Sequence, residues 1–133
     1  MDIDFLSVGE VIELHREAIH AYGGSLGIRD LGRLEAAVAA PQAGSGEVYY
    51  HADIWEMAAA YLSYIVQGHP FIDGNKRAGL MSANAFLRMN DLTVVVEGDT
   101  YSDLVLAVAS GSSGKAEVAE FLRQGIVPTI GDE

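Results

Sequence analysis

Residues Asn75 to about Met89 are rich in Ala, Leu, Met and Phe, and Leu80, Ala83, Ala85, Phe86 and Leu87 fall nearly all round a helical wheel. Such a helix has little face to give to water, so other elements must enclose it. The rest of the chain supplies helices. Ser7-Val8-Gly9-Glu10 has capping-box spacing and leads into apolar positions at Val8, Val11, Ile12, His15, Ala18, Ile19 and Tyr22, which predicts a helix ending at Gly23-Gly24. Asp30 opens a second, carrying Leu31, Leu34, Ala37 and Val38, which stops before Pro41 because the residue preceding a proline avoids helical geometry. Residues 41–52 read as a Gly-containing connection. Asp53 with Glu56 then repeats the cap signature ahead of Ile54, Met57, Ala58, Tyr61, Leu62 and Ile65, a third helix ending near Gly68.

Only Thr93-Val94-Val95-Val96-Glu97 is strongly β-branched, which predicts at most a short strand or hairpin after the central helix. Thr100-Tyr101-Ser102-Asp103 starts a further helix through Val108, Gly111-Ser112-Ser113-Gly114 is a loop, and Ala116 to Gln124 is a last helix. The tail after about residue 126 is expected to fray. The expected fold class is therefore all-α, a compact bundle of about six helices. A chain of 133 residues with 50% hydrophobic content suits a single domain over residues 1–133.

The absence of cysteine removes disulfide and thiolate chemistry and fits a reducing compartment. Met1-Asp2-Ile3-Asp4 has no basic start or apolar run, and no stretch approaches the roughly 20 apolar residues of a membrane span, so a cytoplasmic protein is expected. The net charge of −11, from 19 acidic and 8 basic residues, repels a polyanion over most of the surface and argues against direct nucleic-acid binding. A nucleotide stays admissible where the few cations gather.

They gather in His69-Pro70-Phe71-Ile72-Asp73-Gly74-Asn75-Lys76-Arg77. The start of a helix presents unpaired N–H groups and partial positive charge, so the amides around Gly74, Asn75 and Lys76 form a phosphate cradle. Lys76 and Arg77 add full charge to it, and Asp73 can hold Mg²⁺, a cation usually bound by one or two carboxylates plus substrate phosphates. His69 has the side chain type whose ordinary pKa, about 6.5, suits acceptance of a hydroxyl proton near neutral pH. Taken singly these residues read as a turn, a solvated first helical turn and a surface histidine; as one ordered string they read as a site.

That string resembles the signature of the Fic/Doc family, in which His, Phe, an acidic residue, Asn and Arg keep fixed spacing. Leu14-His15, Tyr22-Gly23-Gly24, Gly27-Ile28-Arg29-Asp30, Glu35-Ala36-Ala37, Pro41-Gln42 and the run from Asp53 to Ala59 extend the likeness, over about residues 5–110. The resemblance implies an ATP-using transferase in which His69 deprotonates a target hydroxyl and Phe71 anchors the loop in the core. It also implies that Asp73 holds Mg²⁺ and that Gly74, Asn75, Lys76 and Arg77 surround the nucleotide phosphates. AMP-transferring Fic enzymes read Gly-Asn-Gly-Arg with a second Arg three residues on, whereas here Lys76 replaces the second Gly and Leu80 stands at the second Arg.

The Asn-Lys-Arg form is similar to Doc, which implies the toxin of a toxin–antitoxin pair. Such a toxin transfers the γ-phosphoryl of MgATP to a threonine of elongation factor Tu and so inhibits translation. It also implies a cognate antitoxin whose C-terminal helix lies in a groove near the site. Pro70 and Gly74 are what a Fic motif carries, which keeps AMP transfer as the alternative, and a silent partner-binding module is a second one. Thr93 to Gly98 fits a loose inhibitory pattern, yet its three valines favour a strand. Gly111 to Lys115 is too short for a P-loop, and His15, His20 and His51 have no zinc-ligand spacing, so they read as core or surface residues. Trp55 and the tyrosines are expected to pack.

Overall fold

The Ser7 hydroxyl accepts from the Glu10 N–H at 3.1 Å and the Glu10 carboxylate accepts from the Ser7 N–H at 2.8 Å, so helix α1 (Val8–Tyr22) begins at its capping box. Asp30 caps α2 (Leu31–Ala39) through the Arg33 N–H, and a 3₁₀ turn, Ala40–Gln42, absorbs Pro41. Asp53 caps α3 (Ile54–Gly68) in the same way, through the Glu56 N–H. α4 (Asn75–Met89), α5 (Gly98–Ser110) and α6 (Lys115–Gly125) complete the bundle. These elements come from a computed structural model that describes residues 2–95 and 98–128. Among them six α-helices dominate, the all-α class expected, with α5 starting ahead of Thr100.

The deepest helix is α3 and not α4. Met57 through Ser63, Ile65 and Val66 are buried, whereas α4 leaves Lys76, Arg77 and Arg88 exposed and Leu80 half-buried. The small residues Ala58-Ala59-Ala60 let neighbours close on every side of α3. Its tightest neighbour is α4: a Cβ on Gly79 would lie 2.6 Å from Val66 Cγ2 and 3.1 Å from the Leu62 carbonyl. The two backbones therefore meet at a position that only glycine fits. Phe5 stacks on Phe86 and Tyr61 packs against it at a tilt, and the Tyr61 hydroxyl accepts from the Leu6 N–H at 2.9 Å. Burial pushes the Tyr61 phenol up to about 12, so it stays protonated.

The connection over residues 41–52 contains a small antiparallel hairpin, β1 (Gly44–Ser45) with β2 (Val48–Tyr49), whose strands are exposed and so carry no alternating pattern to read. β3 (Leu92–Val94) is the expected strand, and its antiparallel partner is β4 (Ile126–Pro128), with Thr93 opposite Val127. β4 is the last element among the described residues. Pairing across so many residues leaves no local signal. Val96, Glu97 and residues 129–133, with the inhibitory-pattern Glu97 and the tail beyond β4, lie outside the described residues. The tyrosines do not all pack: Tyr61 and Tyr101 are buried, while Tyr22, Tyr49, Tyr50 and Tyr64 are exposed. Helical spacing does not say which face meets the core. Among the described residues no helix is long and apolar enough to cross a membrane.

Candidate active site

The motif occupies the short crossing from the end of α3 to the start of α4. His69 is the C-cap of α3, with φ 49° and ψ 54°, a left-handed conformation more usual for glycine. Its N–H donates to the Ile65 carbonyl at 3.2 Å and its ring is exposed. Arg29 donates from Nε to the His69 carbonyl at 2.8 Å and from Nη2 to the Gly68 carbonyl at 3.1 Å, and Arg33 Nη1 adds a 3.1 Å bond to Gly68. Cations here complement the carbonyl end of α3.

A strand-like seam fastens the next residues. The Pro70 carbonyl accepts from the N–H groups of Arg29 at 2.7 Å and Asp30 at 3.0 Å, and the Ile72 N–H donates to the Gly27 carbonyl at 3.0 Å. Phe71 is 1% exposed and lies face to face with His15. Asn75, itself buried, clamps Phe71 from the other side, its Oδ1 accepting from the Phe71 N–H and its Nδ2 donating to the Phe71 carbonyl, both at 3.0 Å.

Asp73 is exposed but not loose. Its Oδ1 accepts from the Gly74 N–H at 2.8 Å and its Oδ2 from the Ser25 N–H at 3.1 Å. Gly24 has φ +117°, and a Cβ there would come within 2.7 Å of that Oδ2, so the close approach needs glycine. Beyond Gly74, the first ladder bond of α4 runs from the Ala78 N–H to the Gly74 carbonyl at 2.9 Å. The N–H groups of Asn75, Lys76 and Arg77 precede it and have no acceptor within the helix, which leaves a cradle for an anion.

Lys76 and Arg77 are exposed on that turn, and Arg77 rests its guanidinium 3.8 Å above the Tyr22 ring. Arg77 and Leu80 separate two grooves. One, of about 230 Å³, is bounded by Lys76, Ser102, Val105 and Leu106; the other by Glu17, Ala21, Tyr22 and Met81. A larger cavity, about 670 Å³, lies elsewhere, among Tyr50, His51, Glu56, Tyr64, Lys115 and Arg123. Volume is a poor guide to a phosphate site, because backbone N–H groups and charge hold the anion without enclosing it.

The fold thus brings His69, Phe71, Asp73, Gly74, Asn75, Lys76 and Arg77 onto one loop and one helical turn. Asn75 has a second task unseen in the sequence: its side chain is engaged with Phe71, so its backbone N–H is what it offers the cradle. Four of the 8 basic residues, Arg29, Arg33, Lys76 and Arg77, lie on this loop or bond to it. Sequence reasoning assigned no role to Ser25, Arg29, Arg33 or His15. His15 left a trace as a polar ring in the apolar stripe of α1 between Val11 and Ile19, and Arg29 as part of a run that extends the family likeness.

Comparison with known proteins finds matches over most of the chain. The model of the Fic/DOC family matches residues 5–87. The chain is 39% identical over 121 residues to a protein named protein kinase doc of Escherichia phage P1, covering 90% of this chain and 93% of that protein. It is likewise 39% identical over 92 residues to a protein named toxin Doc of Mycolicibacterium smegmatis, covering 68% of this chain and 71% of that one. With its anchored Phe71, its helix-start cradle and a match over most of its length, this chain belongs to the Fic/DOC family.

Proposed function

We propose that this protein is a Doc-like toxin that transfers the γ-phosphoryl of MgATP to a protein hydroxyl, a threonine of elongation factor Tu, and so inhibits translation in the cytoplasm. The observation that carries it is the hydrogen-bonded loop: an exposed His69 at one end, an Asp73 held by two N–H donors and the bare N-terminus of α4 at the other. The names of the two relatives, one a kinase and one a toxin, support it.

His69 takes the proton of the target hydroxyl, whose oxygen bonds to the γ-phosphorus as the bond to the ADP oxygen breaks and ADP leaves. The α4 N–H groups, with Lys76 and Arg77, hold the phosphate charge in place. Asp73 is a lone exposed carboxylate held by two N–H donors with lone pairs to spare, which suits Mg²⁺, an ion that keeps its waters and binds phosphates. Asp73 would hold the ion, which would supply positive charge against the phosphates.

Phosphoryl transfer is favoured over AMP transfer by Leu80. It stands where AMP-transferring relatives carry a second Arg, and an uncharged side chain cannot hold the distal phosphates away from His69. A cognate antitoxin fits the same region, its C-terminal helix lying along a groove whose apolar wall is Leu80, Val105 and Leu106. The test is to supply ATP labelled at the α or the γ phosphorus to a cell lysate and to purified elongation factor Tu. Label from γ alone on the protein is expected; label from α would reject phosphoryl transfer and establish AMP transfer.

A further inference from the structure

The two peptide planes on either side of the His69 Cα are gripped by one guanidinium. Arg29 Nε donates to the His69 carbonyl at 2.8 Å, and Nη2 of the same group donates to the Gly68 carbonyl at 3.1 Å. The relative orientation of those two planes is what φ and ψ of His69 describe. A rigid planar fork bound to both therefore sets the two angles together, and with them the direction of the His69 Cβ.

Setting them takes work, because His69 sits at φ 49° and ψ 54°, a region that non-glycine residues leave when nothing holds them. The fork is itself held. The Arg29 N–H donates to the Pro70 carbonyl at 2.7 Å, and Arg33, anchored 3.5 Å from the Asp30 carboxylate, donates to the Gly68 carbonyl from the next turn.

We infer that Arg29 is a positioning residue: it holds the backbone of His69 left-handed so that the imidazole points at the reacting hydroxyl, and it does not itself touch the nucleotide. The inference rests on His69 being the base. Arg33 supports the Gly68 carbonyl alone and is the lesser partner. A lysine at position 29 would keep the charge and the long stem but would offer one point donor where two carbonyls are held, so Arg29→Lys is the discriminating variant.

Two measurements test this, one of them independent of activity. The ¹³Cα and ¹³Cβ shifts of His69 report its φ and ψ. In Arg29→Lys and Arg29→Ala they are expected to move away from left-handed values while the shifts of Phe71 and Asn75 stay in place. Unchanged His69 shifts would overturn the inference whether or not the protein transfers phosphoryl groups.

The second is the initial rate of label transfer from ATP to elongation factor Tu, or to the lysate protein that wild type modifies, at varied ATP. Both variants should lose about 10- to 100-fold in kcat, the size expected of a misplaced catalytic group. KM for ATP should change by less than about threefold, the mark of lost positioning and not of lost binding. A raised KM with unchanged kcat would make Arg29 a phosphate ligand and overturn the proposal. Adding Arg29→Ala to His69→Ala should lower the rate no further, since a residue acting through His69 has nothing left to position. If His69→Ala is as active as wild type, the assignment of the base fails; if His69→Ala is inactive and Arg29→Lys fully active, only the positioning role fails.

Discussion

His15 and Phe71 lie face to face, ring centroids 3.8 Å apart and planes within 3° of parallel, which ties the motif loop to the first helix of the chain. His15 Nε2 also lies 2.7 Å from the Asp73 carbonyl oxygen, and because a carbonyl only accepts, the ring carries its proton on Nε2. One buried imidazole thus holds both the anchor of the loop and the backbone of the proposed Mg²⁺ ligand.

His15→Ala removes a packed ring and a donor together and should lower stability by about 2 to 4 kcal/mol. His15→Phe keeps the stacked ring and loses only the donor, so the loss should be smaller, about 1 to 2 kcal/mol. Urea denaturation of the three proteins checks the order. Equal midpoints would show that the stack and the hydrogen bond contribute nothing.

Asn75 has its amide split between a donor and an acceptor on Phe71. Asn75→Asp keeps the acceptor but sets a carboxylate oxygen against the Phe71 carbonyl, and should destabilise by about 1 to 3 kcal/mol, at least as much as Asn75→Ala. Thermal unfolding of the two variants at neutral pH measures this. An Asp variant as stable as wild type would mean that the clamp does not form in solution.

His69→Ala should lower transfer about 10² to 10⁴-fold with the fold intact, because the exposed ring adds little to the core. His69→Gly should be equally inactive yet as stable as wild type or up to about 1 kcal/mol more so, since glycine takes φ 49° without strain. Steady-state rates and melting temperatures, taken together, separate the two effects. An active His69→Ala protein would remove His69 from the mechanism.

His51, on the wall of the 670 Å³ cavity, has its pKa pulled below the ordinary 6.5, chiefly by burial, then by Lys115, against an opposing effect of Glu56. Its folded state resists protonation, so on acidification the unfolded chain binds the proton first. Stability is full above about pH 6.5 and declines as pH falls below that value, until the folded form also protonates. Unfolding midpoints between pH 5 and 7 should fall with acidity, and His51→Gln should flatten the slope. An identical slope in the variant would show that other groups carry it.

The local signals in the sequence determined the helices and the place of the motif. Ser7, Asp30 and Asp53 mark three helix starts with their own side chains, Pro41 ends α2, and the apolar periods between them are local facts that a short window displays. The ordered string from His69 to Arg77 likewise places an imidazole, a carboxylate and two cations at a helix start, since the geometry of that start is a property of any helix.

Only the tertiary structure decided what lies against the string. Arg29 reaches His69, Ser25 reaches Asp73 and His15 reaches Phe71 across 40 or more residues, and β4 finds β3 from a shorter but still distant stretch of chain. How α4 seats on α3 was decided there too. α3 carries one charge, Glu56, where α4 carries Lys76, Arg77 and Arg88, and the close approach at Gly79 sets α4 against α3 with its charged first turn left open. These are contacts between surfaces, and a surface exists only once the chain has folded around it.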